Sequence, residues 1–376
     1  MRRYLKDKNY TEANTMPKST NLSSQKLLTY SALATYRSCP RKYKHRFEDN
    51  LKSPEKQHSL YFGHVVHEAL SLWYKTGGNL KDVYRLIDSK FPNYQSDAGQ
   101  KQDRFLAYVM LTSYADKYQE EDWRIVGLDL EFSGQIRNPR TGSQSRTFTM
   151  AGKANGIVEV DGEHFLLEHR TVSTSEEMTP DRLWADTQTI LYGYYLQQKG
   201  LPIVGVIYNI LIKSRLQQKQ GETEEEFEQR KSELLAKSKT GKTTAQQQPP
   251  ETDAHYLERL KQWYQKEDAL QRVVLRIPED RIPLLQEEIW EMTQQYLGSR
   301  RRNCWLLNTA SCFNFGKPCE YLALCQSKEN DGVRERLYQI VAPHEELPIL
   351  GLNLRSEEQA RYEEVRSQRE QQTAQV

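Results

Sequence analysis

The chain has 376 residues, long enough to bury a substantial core, and its 53 Lys+Arg against 51 Asp+Glu leave a net charge of only +2. So balanced a total excludes whole-chain attraction as the argument for a polyanionic partner, which local clusters must carry instead. Residues 201–212, the longest apolar run, are too short to cross a bilayer, and no signal-type stretch opens the chain. The expectation is a soluble cytoplasmic protein, and five cysteines, three of them bunched near the C-terminus, point to metal or cluster ligation rather than a disulfide framework.

Residues 1–27 are polar and aperiodic and read as a disordered tail. The folded part begins at "LTYSALATYRSCP", where Ser31 is the expected cap of a short helix that Pro40 interrupts. In "YFGHVVHEALSLWYKTGG" the apolar positions 65, 66, 69, 70 and 73 share a helical face, and Gly77-Gly78 ends the helix. Two further helices are expected near 80–91 and 102–120. The period then changes to two: "IVGLDLEFSGQI", "FTMAGKANGIVEVDG", "HFLLEHRTV" and "PIVGVIYNILI" read as four strands, with a tight Asp161-Gly162 hairpin between the second and third. A helix over about 181–199 separates the third strand from the fourth, so the fold class is α/β with a mixed central sheet, a crossover connection and flanking helices. Residues 213–254 turn to charge and glutamine and read as an exposed, partly helical insertion. Their "TGKTT" fails as a phosphate loop because Ala236 stands where the first glycine belongs. Helices resume at 255–271 and 283–299, and 329–376 is a charged C-terminal tail.

Within "FLLEHRTVS" the strand alternation puts Glu168 and Arg170 on one face and His169 on the other. Around this pair the sequence offers His67 on an amphipathic helix, Asn155 in "GKANGIVEV", and Gln188 with Tyr192, four apart and so on one helical face. Singly, each has an ordinary explanation: a core histidine, half of a structural ion pair, polar groups at a sheet edge.

In this order the residues resemble the PD-(D/E)XK nuclease superfamily, in its RecB-like exonuclease branch, which includes the CRISPR-associated RecB-like nucleases and the AddB nuclease domain. The resemblance covers roughly residues 28–328 apart from the insertion at 213–254. It implies a restriction-endonuclease-like core in which His67, Asn155 and Glu168 stand at the positions of the Mg or Mn ligands. Arg170 stands at the position of the lysine that aligns the attacking water, and Gln188 and Tyr192 match the Q-x-x-x-Y motif that places the DNA strand. Two positions depart from the pattern, Asn155 for aspartate and Arg170 for lysine. An amide keeps an oxygen but removes a unit charge, and at 4 Å with an effective dielectric near 20 a unit pair is worth about 4 kcal/mol, doubled for a divalent ion. Arginine keeps the charge and can grip a phosphate bidentately, but it stays protonated and cannot share a proton with water. The expectation is a site able to hold DNA and poorly equipped to cut it. Glu159 would take the place of the missing acid only if the strand were displaced, and deamidation at Asn155-Gly156 would regenerate one.

Cys39, in "YRSCPRKY", precedes the strands, whereas Cys312, Cys319 and Cys325 follow them with spacing C-x6-C-x5-C. The same resemblance implies a [4Fe–4S] cluster on these four thiolates, tying the N-terminal helical part to the C-terminal one. A four-cysteine zinc site or buried free thiols are the alternatives, although zinc sites more often use close C-x2-C pairs. Cys304 reads as a buried thiol outside the pattern. Basic runs flank the cysteines, "RKYKHR" at 41–46 and "RRR" at 300–302, and fit phosphates, cluster charge or solvent. Tyr36, Tyr43 and Phe47 interleave with the first run and suit either stacking on single-stranded bases or a core edge. The partners implied are DNA, as single strands or ends, and a helicase, integrase or other DNA-processing protein. Three functions stay open: a DNA-binding member with a decayed site, a working Mg- or Mn-dependent exonuclease in repair, end processing or defence, and an iron–sulfur scaffold.

Overall fold

The computed structural model describes residues 26–347 apart from 55–57, 175–178, 239, 241, 315 and 346. The chain opens with β1 (Lys26–Leu28), α1 (Tyr30–Ser38), α2 (Pro40–Tyr43), a π-helical turn (Lys44–Glu48) and β2 (Leu51–Lys52). Three helices follow, α3 (His58–Lys75), α4 (Leu80–Lys90) and α5 (Ala98–Lys117). The centre of the chain is β3 (Arg124–Arg137), β4 (Gln144–Val160), β5 (Glu163–Val172), α6 (Pro180–Trp184), α7 (Thr187–Gln197) and β6 (Ile203–Ile212). Then come α8 (Glu224–Lys237), α9 (Asp253–Tyr264), β7 (Leu270–Arg276) and α10 (Arg281–Arg302). The C-terminal part holds β8 (Phe313–Asn314), β9 (Lys317–Pro318), α11 (Leu322–Gln326), α12 (Asp331–Leu337) and β10 (Gln339–Ile340).

Six strands form one mixed sheet in the order β1-β4-β5-β6-β7, with β3 also paired to β4. Asp161 (φ 51°) and Gly162 (φ 82°) take the two left-handed positions of the tight turn between β4 and β5, as the Asp-Gly pair predicts. The α6–α7 crossover makes β5 and β6 parallel, whereas β7 returns antiparallel on the far edge. Strand β4 is the organising element. Strand β3 runs along one of its edges from Gln144 to Glu159, so β5 and β1 must share the other. Strand β5 takes it from Gly156 to Val160 and β1, running parallel, takes it from Phe148 to Met150. Residues 151–155 lie in the fork between them.

Helices cover both faces. Helices α1, α7 and α10 pack on one face around Phe132, Met150, Ile157, Leu166 and Tyr208. Helices α3, α4, α5 and α9 pack on the other around Val158, Phe165, Leu167 and Ile207. A small third core of Leu51, Tyr321, Leu324 and Tyr338 joins the N- and C-terminal parts of the described residues, where β2 pairs with β10.

Several expectations are corrected. The tail placed at 1–27 gives way at Lys26, because β1 completes β4's free edge; residues 1–25 lie outside the described part. The cap of α1 is Thr29, whose hydroxyl accepts from Ala32 N at 3.2 Å, and not Ser31, whose hydroxyl lies 2.8 Å from that of Thr29. The helix expected over 181–199 is two helices, broken where Asp186 caps α7. The helix placed at 255–271 ends at Tyr264, and the sequence after it forms the edge strand β7. The tail placed at 329–376 contains α12 and β10 up to Ile340, and its residues 348–376 lie outside the described part.

Candidate functional site

The fork in the sheet brings three of the expected residues together. Asn155 lies just past the last β4–β5 pair, Gly156 with Leu167, so it falls opposite Glu168 with no ladder partner across that edge. Its Nδ2 donates to Glu168 Oε2 at 3.0 Å. Arg170, on the same face of β5, places Nη1 3.2 Å from Glu168 Oε1. Both oxygens of Glu168 are thus engaged, by an amide and by a guanidinium. The carboxyl is only 6% exposed, and burial pushes its pKa up to about 7 despite the attraction of Arg170; Asp186 adds to the rise.

Asp186 is the member that the sequence reading missed. Its Oδ1 caps α7 by accepting from Gln188 N at 3.1 Å, while Oδ2 accepts from Arg170 Nη2 at 2.6 Å. Tyr208, from β6, donates to the same Oδ2 at 3.3 Å and lies 2.8 Å from Thr189 Oγ1. An aspartate is a favoured N-cap, a cue that becomes readable once the helix is known to break before Thr187. Gln188 belongs to the site, since its Oε1 accepts weakly from Arg170 Nη2 at 3.5 Å. Tyr192, on the same helix, packs into the core of the sheet. One turn further along α7, its ring is buried edge-on against Phe132 with centroids 4.9 Å apart, over Gly152, where an added Cβ would meet Tyr192 at 2.9 Å.

His67 lies on the opposite face of the sheet, against His169 rather than among the groups at the fork. Gly63, one turn earlier on α3, lets the helix approach β5 so closely that a Cβ there would lie 2.8 Å from Thr171 Oγ1. The His67 ring stands edge-on to His169 at 6.0 Å between centroids. Burial, helped by Arg170 and His64, lowers its pKa to about 4, so the ring is neutral at ordinary pH. Behind it, Asn209 Nδ2 lies 3.2 Å from His169 Nδ1.

Glu159, the alternative acid, does not reach the fork, and neither does Asp129. Glu159 sits at the far end of β4, paired with Arg124. Asp129, on β3, falls opposite Asn155 by register, yet with φ 53° it turns toward α3. There it bonds Ser71, Lys75 and Lys153, which outweigh the effect of burial and hold its carboxyl down at about 2.

The cysteines converge at the other end of the molecule. Cys39 ends α1, the β8–β9 hairpin separates Cys312 from Cys319, and Cys325 lies on α11. All four line one small cavity with Lys42, Asn308 and Tyr321. Burial pushes the Cys325 thiol up to about 11. His45 is fully buried beside it, with Nε2 3.7 Å from Cys325 Sγ and Nδ1 3.3 Å from Asp49. Cys304 is exposed, contrary to expectation.

The first basic run is largely spent within the fold. Arg41 donates to Trp305 O, Lys42 pairs with Glu320, Lys44 with Asp49 and Glu329, and Arg46 with Glu345. Tyr36 and Tyr43 are buried in an aromatic cluster with Tyr296 and Trp305, and Phe47 stacks on His344, so the core-edge alternative holds for these rings. Among the described residues, the group of three or more His, Cys, Asp or Glu ligand atoms within 4.8 Å of one another is His45, Asp49 and Glu329. The ammonium of Lys44, 2.7 Å from Glu329 and 3.0 Å from Asp49, already supplies positive charge there.

A family profile of the PD-(D/E)XK nuclease superfamily matches residues 27–326. The chain belongs to the PD-(D/E)XK nuclease superfamily. The match spans the forked sheet, both helical layers and all four clustered cysteines, and the mixed sheet flanked by helices is consistent with the PD-(D/E)XK core. No curated protein matches the chain. PD-(D/E)XK nucleases act with Mg or Mn, and DNA is the substrate that membership suggests. Among the described residues no helix is long and apolar enough to cross a membrane.

Proposed function

We propose that this PD-(D/E)XK protein is a DNA-binding member of the RecB-like branch in which an internal cation, the Arg170 guanidinium, has replaced the catalytic metal. One observation carries the reading: Arg170 bridges Glu168 at 3.2 Å and Asp186 at 2.6 Å. A divalent ion needs anionic oxygens free to face it. Here Glu168 is capped on one oxygen by Asn155 and on the other by Arg170, and its raised pKa leaves it only partly ionised at neutral pH. The donors do not fit Mg or Mn as arranged, and no hydrolytic step is derived through such an ion. The same geometry argues against Arg170 as a free phosphate clamp, since its fork is already shared by two carboxylates.

At the other end the convergence of four cysteines on one small cavity supports reading them as cluster ligands. No three of the four sulfurs lie within 4.8 Å of one another. A single tetrahedral zinc would hold its thiolates about 3.8 Å apart, whereas a four-iron cubane binds each thiolate at a separate iron and tolerates a wider spread. Cys39, Cys312, Cys319 and Cys325 would hold it, and it would supply a cross-link between the two ends of the chain.

The deciding experiment compares the unmodified chain with the double variant Asn155→Asp, Arg170→Lys in Mn²⁺-dependent degradation of single-stranded and duplex DNA. Digestion only by the double variant is the expected result. Digestion by the unmodified, metal-loaded chain overturns the proposal. For the cluster, visible absorption of the anaerobically purified protein should vanish in Cys39→Ser.

A further inference from the structure

Leaving an indole in water forgoes one of the largest apolar burials a side chain can make. Trp184, at the end of α6, is nevertheless 55% exposed. The ring is not loose. Arg281, in the first turn of α10, holds its guanidinium carbon 4.6 Å from the ring centroid and donates from Nη1 to Trp184 O at 3.1 Å. One π-face is therefore backed by a cation, and the main chain beneath it is pinned. Trp184 also lies two residues before Asp186, so its Cα is within about 7 Å of the residue that grips Arg170, which in turn pairs with Glu168 at the fork.

We propose that Trp184 is a stacking platform for an unpaired nucleobase of a DNA strand entering the fork between β1 and β5. A base suits this setting because it needs only one flat face to rest on, and every base has one. The Arg281 cation reinforces the stack and suits the adjoining phosphates. A tryptophan that anchors a protein partner instead fills a pocket and is surrounded by contacts that exclude water.

This inference rests on the DNA-binding reading above, and the test separates the two. The full chain, its Trp184→Ala and Trp184→Phe variants, a fluorescent oligothymidylate and the same oligomer carrying abasic sites are compared by fluorescence anisotropy at low salt. The unmodified chain should bind the oligothymidylate roughly tenfold more tightly than the abasic strand. Trp184→Ala should bind both alike, Trp184→Phe should keep most of the difference, and the salt dependence should be the same for all three because phosphate contacts are untouched. Full discrimination retained in Trp184→Ala overturns the platform alone. Binding of neither oligomer by the unmodified chain overturns the DNA-binding reading and the platform with it. Exposure of the ring makes unfolding of the variant an unsuitable explanation, and coincident thermal unfolding curves verify that.

Discussion

Substituting Glu168 by glutamine tests the electrostatics of the fork directly. The buried carboxyl has its pKa raised from 4.5 to about 7. Below 4.5 it is protonated in both the folded and unfolded chains; between 4.5 and 7 the folded chain holds the proton that the unfolded chain gives up. Stability from this group is therefore fully present at low pH and lost as pH rises toward 7, at up to 1.36 kcal/mol per pH unit, or about 3 kcal/mol in all. Glutamine copies the protonated form, with one oxygen to accept and no charge to desolvate. Urea unfolding followed by circular dichroism from pH 4.5 to 9 should find Glu168→Gln close to the parent at the acid end and more stable by about 3 kcal/mol above pH 8. A constant difference across that range would refute the buried-acid argument. Stabilisation of the parent, but not of the variant, by millimolar Mn²⁺ at pH 8 would refute the arginine as resident cation, since metal would then be binding the folded state through Glu168.

Other groups give separate readings. His67 has the opposite sign: its pKa is lowered to about 4, so its contribution is present above pH 6.5 and lost as pH falls toward 4, by at most about 3 kcal/mol. His67→Asn should flatten that acid limb in the same urea experiment. Tyr43→Ala should cost about 3–5 kcal/mol in denaturant unfolding, as loss of a buried aromatic does, and leave the salt slope of DNA binding unchanged. Gly152→Ala should cost about 1–3 kcal/mol by calorimetry, because its Cβ would meet Phe132 at 2.5 Å and Tyr192 at 2.9 Å.

How much of this was legible in the sequence depends on whether a feature is local. The β4–β5 hairpin was readable because Asp161 and Gly162 supply the left-handed positions that the turn demands. The Glu168/Arg170 face followed from strand alternation alone. Strand β7 was missed because "LQRVVLR" is an edge strand, where only Leu270 is fully buried and the alternation is blurred by Arg272, whose guanidinium instead lies 3.9 Å from the Tyr118 ring. The basic run at 41–46 looked available for phosphate because its partners are distant in the chain: Glu320 for Lys42 and Glu329 for Lys44. A sequence displays charges, but only the fold says which of them are already neutralised. Asp186 was hidden for the opposite reason, standing inside what read as one continuous helix, so that its capping role and its pairing with Arg170 were lost together.

On the motif assignment proposed above, Asn155 and Arg170 together make a single electrostatic solution. With an aspartate at 155, a third carboxylate would face Glu168 and Asp186 in a poorly solvated fork, and one guanidinium could not neutralise all three. The asparagine removes that charge and turns a like-charge contact into a 3.0 Å hydrogen bond. Arg170 then satisfies the remaining oxygen of Glu168 together with Asp186. Its planar fork reaches both carboxylates at once, which the point charge of a lysine does less well. Restoring aspartate alone should therefore leave an excess buried charge, and restoring lysine alone should loosen Asp186, which also caps α7. Only the double change returns an acid for a metal and an amine that can share a proton, which is why hydrolysis is expected from the pair and from neither substitution singly.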